Sequence, residues 1–176
     1  GDAIIKILNK HKKWSSIVVG DEPRDKLQYN HEKLNNLGFL KHREVLNIYK
    51  KTSIAVVCSR WEEPFGRTSL EASANGCAVI ITNKGGLPET VRDAKIINNL
   101  SIKNLTKTIS SLIKDEKLRK KLQTLSIKNF YLTHKFVSKN IDQYRSEKLF
   151  LEKKIYLKNK QKSLRILHVT NFNERL

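Results

Sequence analysis

Two short runs of uninterrupted apolar residues constrain the fold of this chain more than any other feature. They are residues 53–58 (SIAVVC) and residues 77–82 (CAVIIT). Runs of this length without polar alternation are typical of strands buried on both faces of a parallel sheet. The segment between them, residues 67–75, has helical character, and Gly76 can end that helix because glycine readily adopts the left-handed conformation. The pattern predicts a strand, helix, strand unit of an α/β protein.

The same alternation continues on both sides of this unit. Before it, the sequence predicts helices over 2–13 and 42–51, a strand over 16–19, and a second short strand within 34–40, near 38–40. After it, we expect a short helix from Pro88, a strand over 94–97, helices capped by Ser101 and Asp115, and a long charged helix over 134–160. The expected fold is therefore a Rossmann-like parallel sheet with helices on both faces. Ligands of such sheets bind at the carboxyl ends of the strands.

The charge of the chain is strongly positive. There are 35 Lys and Arg residues against 17 acidic ones, a formal net charge of +18. This excess fits a basic module that binds nucleic acid or an anionic membrane, and it fits equally a compositional bias towards lysine. Zinc-finger spacing, a leucine-zipper heptad and base-stacking aromatic strands are all missing from the sequence, so no specific nucleic-acid partner is expected.

The apolar and cysteine content points to the cytoplasm. No apolar run approaches the length of a membrane span, and the opening residues, GDAIIKILNKHKK, are amphipathic, unlike a signal peptide. Cys58 and Cys77 lie in apolar runs, which predicts buried, reduced thiols, with a disulfide as the alternative. We expect a cytoplasmic protein, with peripheral contact at the inner membrane face left open.

Two glutamates flank a turn after the first apolar run. Glu63 precedes Pro64, and Glu71 falls about 6 to 8 Å along the helix expected to begin near Gly66. The free N–H groups at a helix start can bind phosphate, and carboxylates pair well with adjacent hydroxyls. The spacing suits a nucleotide sugar, whose diphosphate lies between two hydroxyl-bearing groups. The alternative is chance spacing with acids attracted by the helix dipole.

Several motifs then resemble one family in order and spacing. They are Glu63-Pro64-Phe65-Gly66, Leu70-Glu71-Ala72, Gly76-Cys77-Ala78-Val79-Ile80 and Gly85-Gly86-Leu87-Pro88-Glu89, preceded by Val18-Val19-Gly20 and Leu37-Gly38-Phe39-Leu40. Together they resemble the donor-binding, C-terminal half of retaining glycosyltransferases of the family 4 type, which have the GT-B fold. The resemblance covers residues 1–150, expected to form a partial nucleotide-sugar-binding domain.

This resemblance implies transfer of a sugar from a nucleotide diphosphate sugar to a glycan or lipid-linked acceptor, with retained configuration. It implies no cofactor and no obligatory metal. Glu63 would be the catalytic residue and would contact the donor sugar, Glu71 would bind the ribose, and the chain at Phe39 and Leu40 would face the base. The full set of implied donor-binding residues is Gly20, Phe39, Leu40, Glu63, Phe65, Gly66, Arg67, Thr68 and Glu71. Gly85 and Gly86 would shape the neighbouring loop, or serve only as a turn.

The chain also departs from the family pattern. The family's donor half normally begins one strand earlier and carries cations that clamp the diphosphate, so we expect the first strand and that clamp to be missing here. Arg67 stands where an aliphatic residue is usual; it could supply a cation at the helix start, or be an exposed arginine without that role. The acceptor-binding domain is not expected within this chain, and the chain alone is expected not to turn over. A non-catalytic, glycosyltransferase-like domain is the remaining alternative.

The C-terminal end has a different character. Residues 151–163 are lysine-rich and are expected to form a linker or the tail of the long helix. Residues 164–172 (LRILHVTNF) predict a strand, and residues 164–176 resemble the start of a second glycosyltransferase domain. The chain would then be a fragment of a tandem enzyme. Alternatively, this strand adds to the edge of the sheet formed by the preceding residues.

Overall fold

The structure is a computed structural model that describes residues 1–20 and 29–158. The chain divides into two compact units, residues 1–131 and residues from 132 onward. The elements of the first unit are α1 (Asp2–Lys10), β1 (Ser16–Val18), β2 (Leu34–Asn36), α2 (His42–Tyr49), β3 (Ile54–Val57), α3 (Arg67–Ala74), β4 (Ala78–Thr82), α4 (Leu87–Thr90), β5 (Lys95–Ile97), α5 (Ile102–Lys114) and α6 (Glu116–Lys128). The predicted alternation of strands and helices is confirmed.

Strand β4 is the centre of the larger sheet. It pairs in parallel with β3 on one side and with β5 on the other, with Ile81 opposite both Val57 and Ile96. All five of its residues are buried. This burial explains its uninterrupted apolar sequence, because helices cover both faces of the sheet.

Alternate residues of β4 enter two separate cores. Ala78 and Ile80 pack with residues from α1, α5 and α6, among them Leu112 of α5. Val79 and Ile81 pack on the opposite face with residues from α3 and α4. The two-residue period of a strand therefore distributes one continuous apolar run between two helical layers.

Strands β1 and β2 form a second, two-stranded parallel sheet. The second strand lies within the predicted range 34–40, but its placement near 38–40 was wrong, because the strand ends at Asn36. The Asn36 side chain accepts a hydrogen bond from the Gly38 N–H at 3.2 Å, and Gly38 has a left-handed φ of +61°. This turn redirects the chain and leaves Phe39 82% exposed.

The two sheets are not hydrogen-bonded to each other within residues 1–20 and 29–158. A cavity of about 1220 Å³ is lined by residues of β1 and β3 together with apolar residues of α1 and α5. The parallel sheet expected from the sequence is thus divided into two separate sheets, each with parallel strands.

The helix caps follow the sequence closely. Ser101 Oγ accepts a hydrogen bond from the Asn104 N–H at 3.1 Å, and Asp115 Oδ1 accepts one from the Leu118 N–H at 2.8 Å. Both predicted N-caps are confirmed, since each oxygen satisfies an otherwise unpaired donor of the first turn.

The second unit contains the long helix α7 (His134–Lys158), as predicted for most of its length. The predicted strand over 164–172 lies outside the described residues. In the part of the chain that is described, no helix is both long and apolar enough to cross a membrane.

Candidate functional site

The start of α3 is fixed from its buried side. Gly66 caps the helix with φ +88°, and a Cβ atom added there would lie 2.7 Å from Leu87 Cδ2. Ser69 Oγ donates to the Gly66 carbonyl at 2.7 Å and lies 2.9 Å from Thr90 Oγ1. Glycine is needed here because its left-handed backbone packs against α4 with no room for a side chain.

The outward side of the same helix start carries free donors. Among the described residues, the backbone N–H groups of Arg67 and Thr68 have no hydrogen-bond acceptor. The first N–H groups of a helix point along its axis and carry the positive end of its dipole. This end of α3 can therefore accept an anionic group.

Glu71 is the fifth residue of α3, and its side chain is 21% exposed. Its Oε1 atom lies 3.1 Å from His42 Nε2 and 3.3 Å from an Arg67 guanidinium nitrogen. Its Oε2 atom has no partner among the described residues. The carboxylate is held through one oxygen and offers the other to a hydroxyl donor.

A pocket of about 350 Å³ lies beside this carboxylate. Its lining residues are Phe39, Leu40, His42, Val45, Arg67, Thr68 and Glu71. Five of the residues implied by the family resemblance therefore meet around one cavity, at the end of α3 where the N–H groups are free. Arg67, considered as a source of positive charge, has its guanidinium paired with Glu71 at the rim.

Glu63 lies in the loop between β3 and α3, outside the lining of that pocket. Its carbonyl accepts a hydrogen bond from the Gly86 N–H at 2.7 Å, so its backbone rests on the loop that follows β4. In the described part of the chain, its half-buried side chain has no hydrogen-bond or ion-pair partner. The carboxylate is therefore available to a ligand.

Two further predicted residues lie apart from the pocket lining. Gly20 has φ +120° and donates its N–H to the Gly38 carbonyl at 2.8 Å, which ties the end of β1 to the turn before Phe39. Phe65 is half exposed in the Glu63 loop. These residues border the segments that carry the site.

The two thiols are only partly as expected. Cys77 is buried, whereas Cys58 is half-buried. Removal from solvent raises the pKa of each thiol to about 11, because burial disfavours the thiolate. In residues 1–20 and 29–158, no group of three His, Cys, Asp or Glu side chains is arranged to hold a metal ion.

Sequence reasoning missed His42 and Glu62. His42 begins α2 and contacts Glu71, and Glu62 contacts Lys84 and Gly85 across two loops. The only sequence feature that could have identified either residue as part of the site is the position of Glu62 directly before Glu63. Their contacts join segments that are distant in sequence.

Comparison with known proteins gives a family for this architecture. The family model described as "Glycosyl transferases group 1" matches residues 2–128. The C-terminal domain of the group 1 glycosyl transferase LpcC from Francisella tularensis superposes with a TM-score of 0.63 at 28% identity, covering 72% of this chain and 73% of that one. HepE of Anabaena, solved with UDP and glucose, has a TM-score of 0.66 at 20% identity, over 84% of this chain and 43% of HepE.

Curated relatives match over shorter stretches. Spore coat protein SA of Bacillus subtilis is 31% identical over 88 residues, which is 48% of this chain and 23% of that protein. Glycogen synthase of Mycobacterium tuberculosis is 42% identical over 55 residues, which is 31% of this chain and 13% of the synthase. This chain thus spans only about a quarter of spore coat protein SA and less of the synthase. The predicted α/β fold, that of a C-terminal GT-B domain, is confirmed by the match to LpcC.

Proposed function

Since this chain belongs to the group 1 glycosyl transferases, we propose that it is the part of a retaining glycosyltransferase that binds a nucleotide diphosphate sugar. The observation that carries this proposal is the Glu71 carboxylate, held by His42 and Arg67 at the edge of a pocket beside the free end of α3. The whole enzyme would transfer the sugar to a glycan or lipid-linked acceptor.

The nucleoside would occupy the pocket beside Glu71. Its volume of about 350 Å³ is at the lower end of the range for small-molecule sites, which suits one nucleoside better than a whole donor. Phe39 would offer an exposed aromatic face to the base, and Leu40 would supply apolar contact. The free Oε2 atom of Glu71 would accept hydrogen bonds from the ribose hydroxyls.

The diphosphate would lie against the start of α3. The unpaired N–H groups of Arg67 and Thr68 and the dipole of the helix favour negative charge there. As the bond to the sugar breaks, charge grows on the leaving diphosphate, and donors already in place stabilise that charge without reorganisation. We propose that these donors act in place of an obligatory metal ion.

The donor sugar would extend towards Glu63. Its carboxylate has no partner among the described residues and can accept two hydroxyl hydrogen bonds at once. A fixed sugar position would let the acceptor reach the anomeric carbon on the face from which the diphosphate leaves, which gives retention of configuration. The acceptor-binding domain would come from outside this chain, so the chain alone would bind a donor without transferring its sugar.

Calorimetric titration of the 176-residue chain with UDP, ADP and GDP tests the proposal directly. We expect saturable binding of at least one nucleotide, and Glu71→Gln should weaken it about tenfold because a charged hydrogen-bond acceptor is lost. Glu116→Gln is the matched control. It removes the same charge from the exposed face of α6, where Glu116 pairs with Lys120, and should leave the affinity unchanged.

Two results would contradict the proposal. One is the absence of saturable binding for all three nucleotides. The other is binding that is indifferent to Glu71→Gln and falls steeply with added salt, which would favour a basic module for nucleic acid or anionic membrane. A longer protein that binds the nucleotide but never transfers sugar would support the non-catalytic alternative.

A further inference from the structure

The loop that carries Glu63 lies directly on the loop that follows β4. A Cβ atom added to Gly85 would overlap the Glu63 carbonyl oxygen, and one added to Gly86 would lie 3.1 Å from Phe65 Cα. Gly85 also has a left-handed φ of +51°. At Gly85 the two backbones therefore approach more closely than a residue with a side chain would allow, and at Gly86 the approach is tight.

The side chain of Glu62 bridges the same two loops. Its Oε1 atom lies 2.9 Å from the Lys84 ammonium, and its Oε2 atom accepts the Gly85 N–H at 2.6 Å. Both oxygens are thus used, one by a charge and one by the backbone. Hydrogen bonds of this charge-assisted kind are stronger than neutral ones.

This bridge also alters the titration of Glu62. The hydrogen bond from Lys84, followed by the one from the Gly85 N–H, lowers the pKa of its carboxyl below the ordinary value of 4.5. Glu62 is 70% exposed, and a lone surface ion pair contributes little to stability. The contact therefore contributes mainly to the geometry of the two loops. It joins the Glu62 side chain to the backbone of Gly85, which cannot rotate away as a side chain can.

Glu63 follows Glu62 directly in the chain. Within the described residues, its own carboxylate has no partner, so its position depends on the backbone that carries it. That backbone is held by the Gly86 N–H at 2.7 Å and by the Glu62 side chain. The nucleoside pocket beside Glu71 is lined by other segments, which makes the two halves of the site separable.

We propose that Glu62, together with Lys84, is a positioning residue that holds the Glu63 loop in place for the sugar half of the donor. This inference rests on the proposed function. It specifies that Glu62 and Lys84 contribute to recognition of the sugar and leave recognition of the nucleotide unchanged. Neither residue needs to touch the donor.

The test compares each nucleoside diphosphate with its glucose derivative on the 176-residue chain. The pairs are UDP and UDP-glucose, ADP and ADP-glucose, and GDP and GDP-glucose. The affinity for the glucose derivative divided by the affinity for the nucleotide measures the contribution of the sugar to binding. We expect Glu62→Gln and Lys84→Met each to lower this ratio about fivefold, since Glu62→Gln removes the charge that supports both contacts of the bridge and Lys84→Met removes its cation. The double variant should lose little more, because both changes break one bridge.

The outcomes separate the two proposals. If the nucleotide binds and the ratio is unchanged in Glu62→Gln, or if both ligands weaken equally, the positioning role is wrong while the donor-binding proposal stands. The positioning role is also wrong if wild type binds the nucleotide and its glucose derivative equally. If wild type binds neither, both proposals fail. Glu116→Gln serves again as the charge-matched control.

A second measurement needs no ligand. Hydrogen exchange at the Gly85 and Gly86 amides reports whether the two loops stay together. Glu62→Ala should speed exchange at both amides about tenfold, while the thermal midpoint of unfolding stays close to that of wild type. Unchanged exchange at Gly86 would overturn the positioning role, because the loops would then be held without Glu62.

Discussion

The His42 imidazole and the Glu71 carboxylate meet at 3.1 Å, although 29 residues separate them along the chain. His42 begins α2, directly after the segment that carries Phe39 and Leu40. Glu71 lies in α3, whose first N–H groups are free. The contact therefore joins the two sides of the candidate nucleoside pocket, and it leaves one oxygen of Glu71 available.

Replacement of His42 should weaken nucleotide binding by a moderate factor. We expect His42→Ala to lower the affinity for the best of UDP, ADP and GDP about fivefold, less than Glu71→Gln does, because one orienting hydrogen bond is lost. Titration calorimetry measures the change. His42→Gln keeps a side-chain donor and should bind almost as well as wild type. Equal losses in both variants would show that orientation by hydrogen bonding is not the cause.

Gly85 should tolerate substitution worse than Gly38. Both have a left-handed φ, but only at Gly85 does an added Cβ meet other atoms, the backbone of Glu63. Gly85→Ala should therefore cost about 2 to 4 kcal/mol in the free energy of unfolding, and Gly38→Ala about 1 kcal/mol. Urea denaturation of the two variants checks this. Similar losses would contradict the close approach of the two loops.

The native thiols should react slowly with a thiol reagent at pH 8. Because burial raises the pKa of Cys58 and Cys77 to about 11, only about 0.1% of each would be thiolate at that pH. We expect reaction with a disulfide reagent to be on the order of 100-fold slower in the folded chain than in urea.

The Cys77→Ala and Cys58→Ala variants separate the two positions. The half-buried Cys58 should react faster than the buried Cys77. Fast reaction of Cys77 in the folded chain would contradict its burial in the core that α3 forms with β3 and β4.

Stability should fall as the pH drops through the range in which His11 titrates. Burial, followed by repulsion from Lys10 and Lys114, lowers the pKa of His11 below its ordinary value of 6.5. The unfolded chain then binds a proton at higher pH than the folded chain does, so the stabilisation is present above pH 6.5 and declines below it.

Urea denaturation between pH 8 and pH 5 measures this effect. His11→Gln is the matched variant, since glutamine can still contact the Ser110 hydroxyl, which lies 2.6 Å from His11 Nε2. Wild type should lose more free energy of unfolding than His11→Gln as the pH falls. Parallel curves for the two proteins would contradict the lowered pKa.

Features that depend on neighbouring residues were predictable from the sequence. The caps at Ser101 and Asp115 join atoms only three residues apart, and the continuous apolar runs of β3 and β4 are visible in the sequence. The strand near 38–40 was misplaced because its end depends on the turn at Gly38 and on pairing with β1. Pairing between strands is not a local property.

The alternation of strands and helices, the helix caps and the order of motifs that marks the family follow from the linear order of the residues. The contacts of His42 with Glu71 and of Glu62 with Lys84 and Gly85, over 29, 22 and 23 residues respectively, could be found only in the folded chain. The difference lies in the sequence range over which each interaction acts. Helix periodicity and capping act between near neighbours, whereas these contacts form only after folding brings together loops and helices that are distant in the sequence.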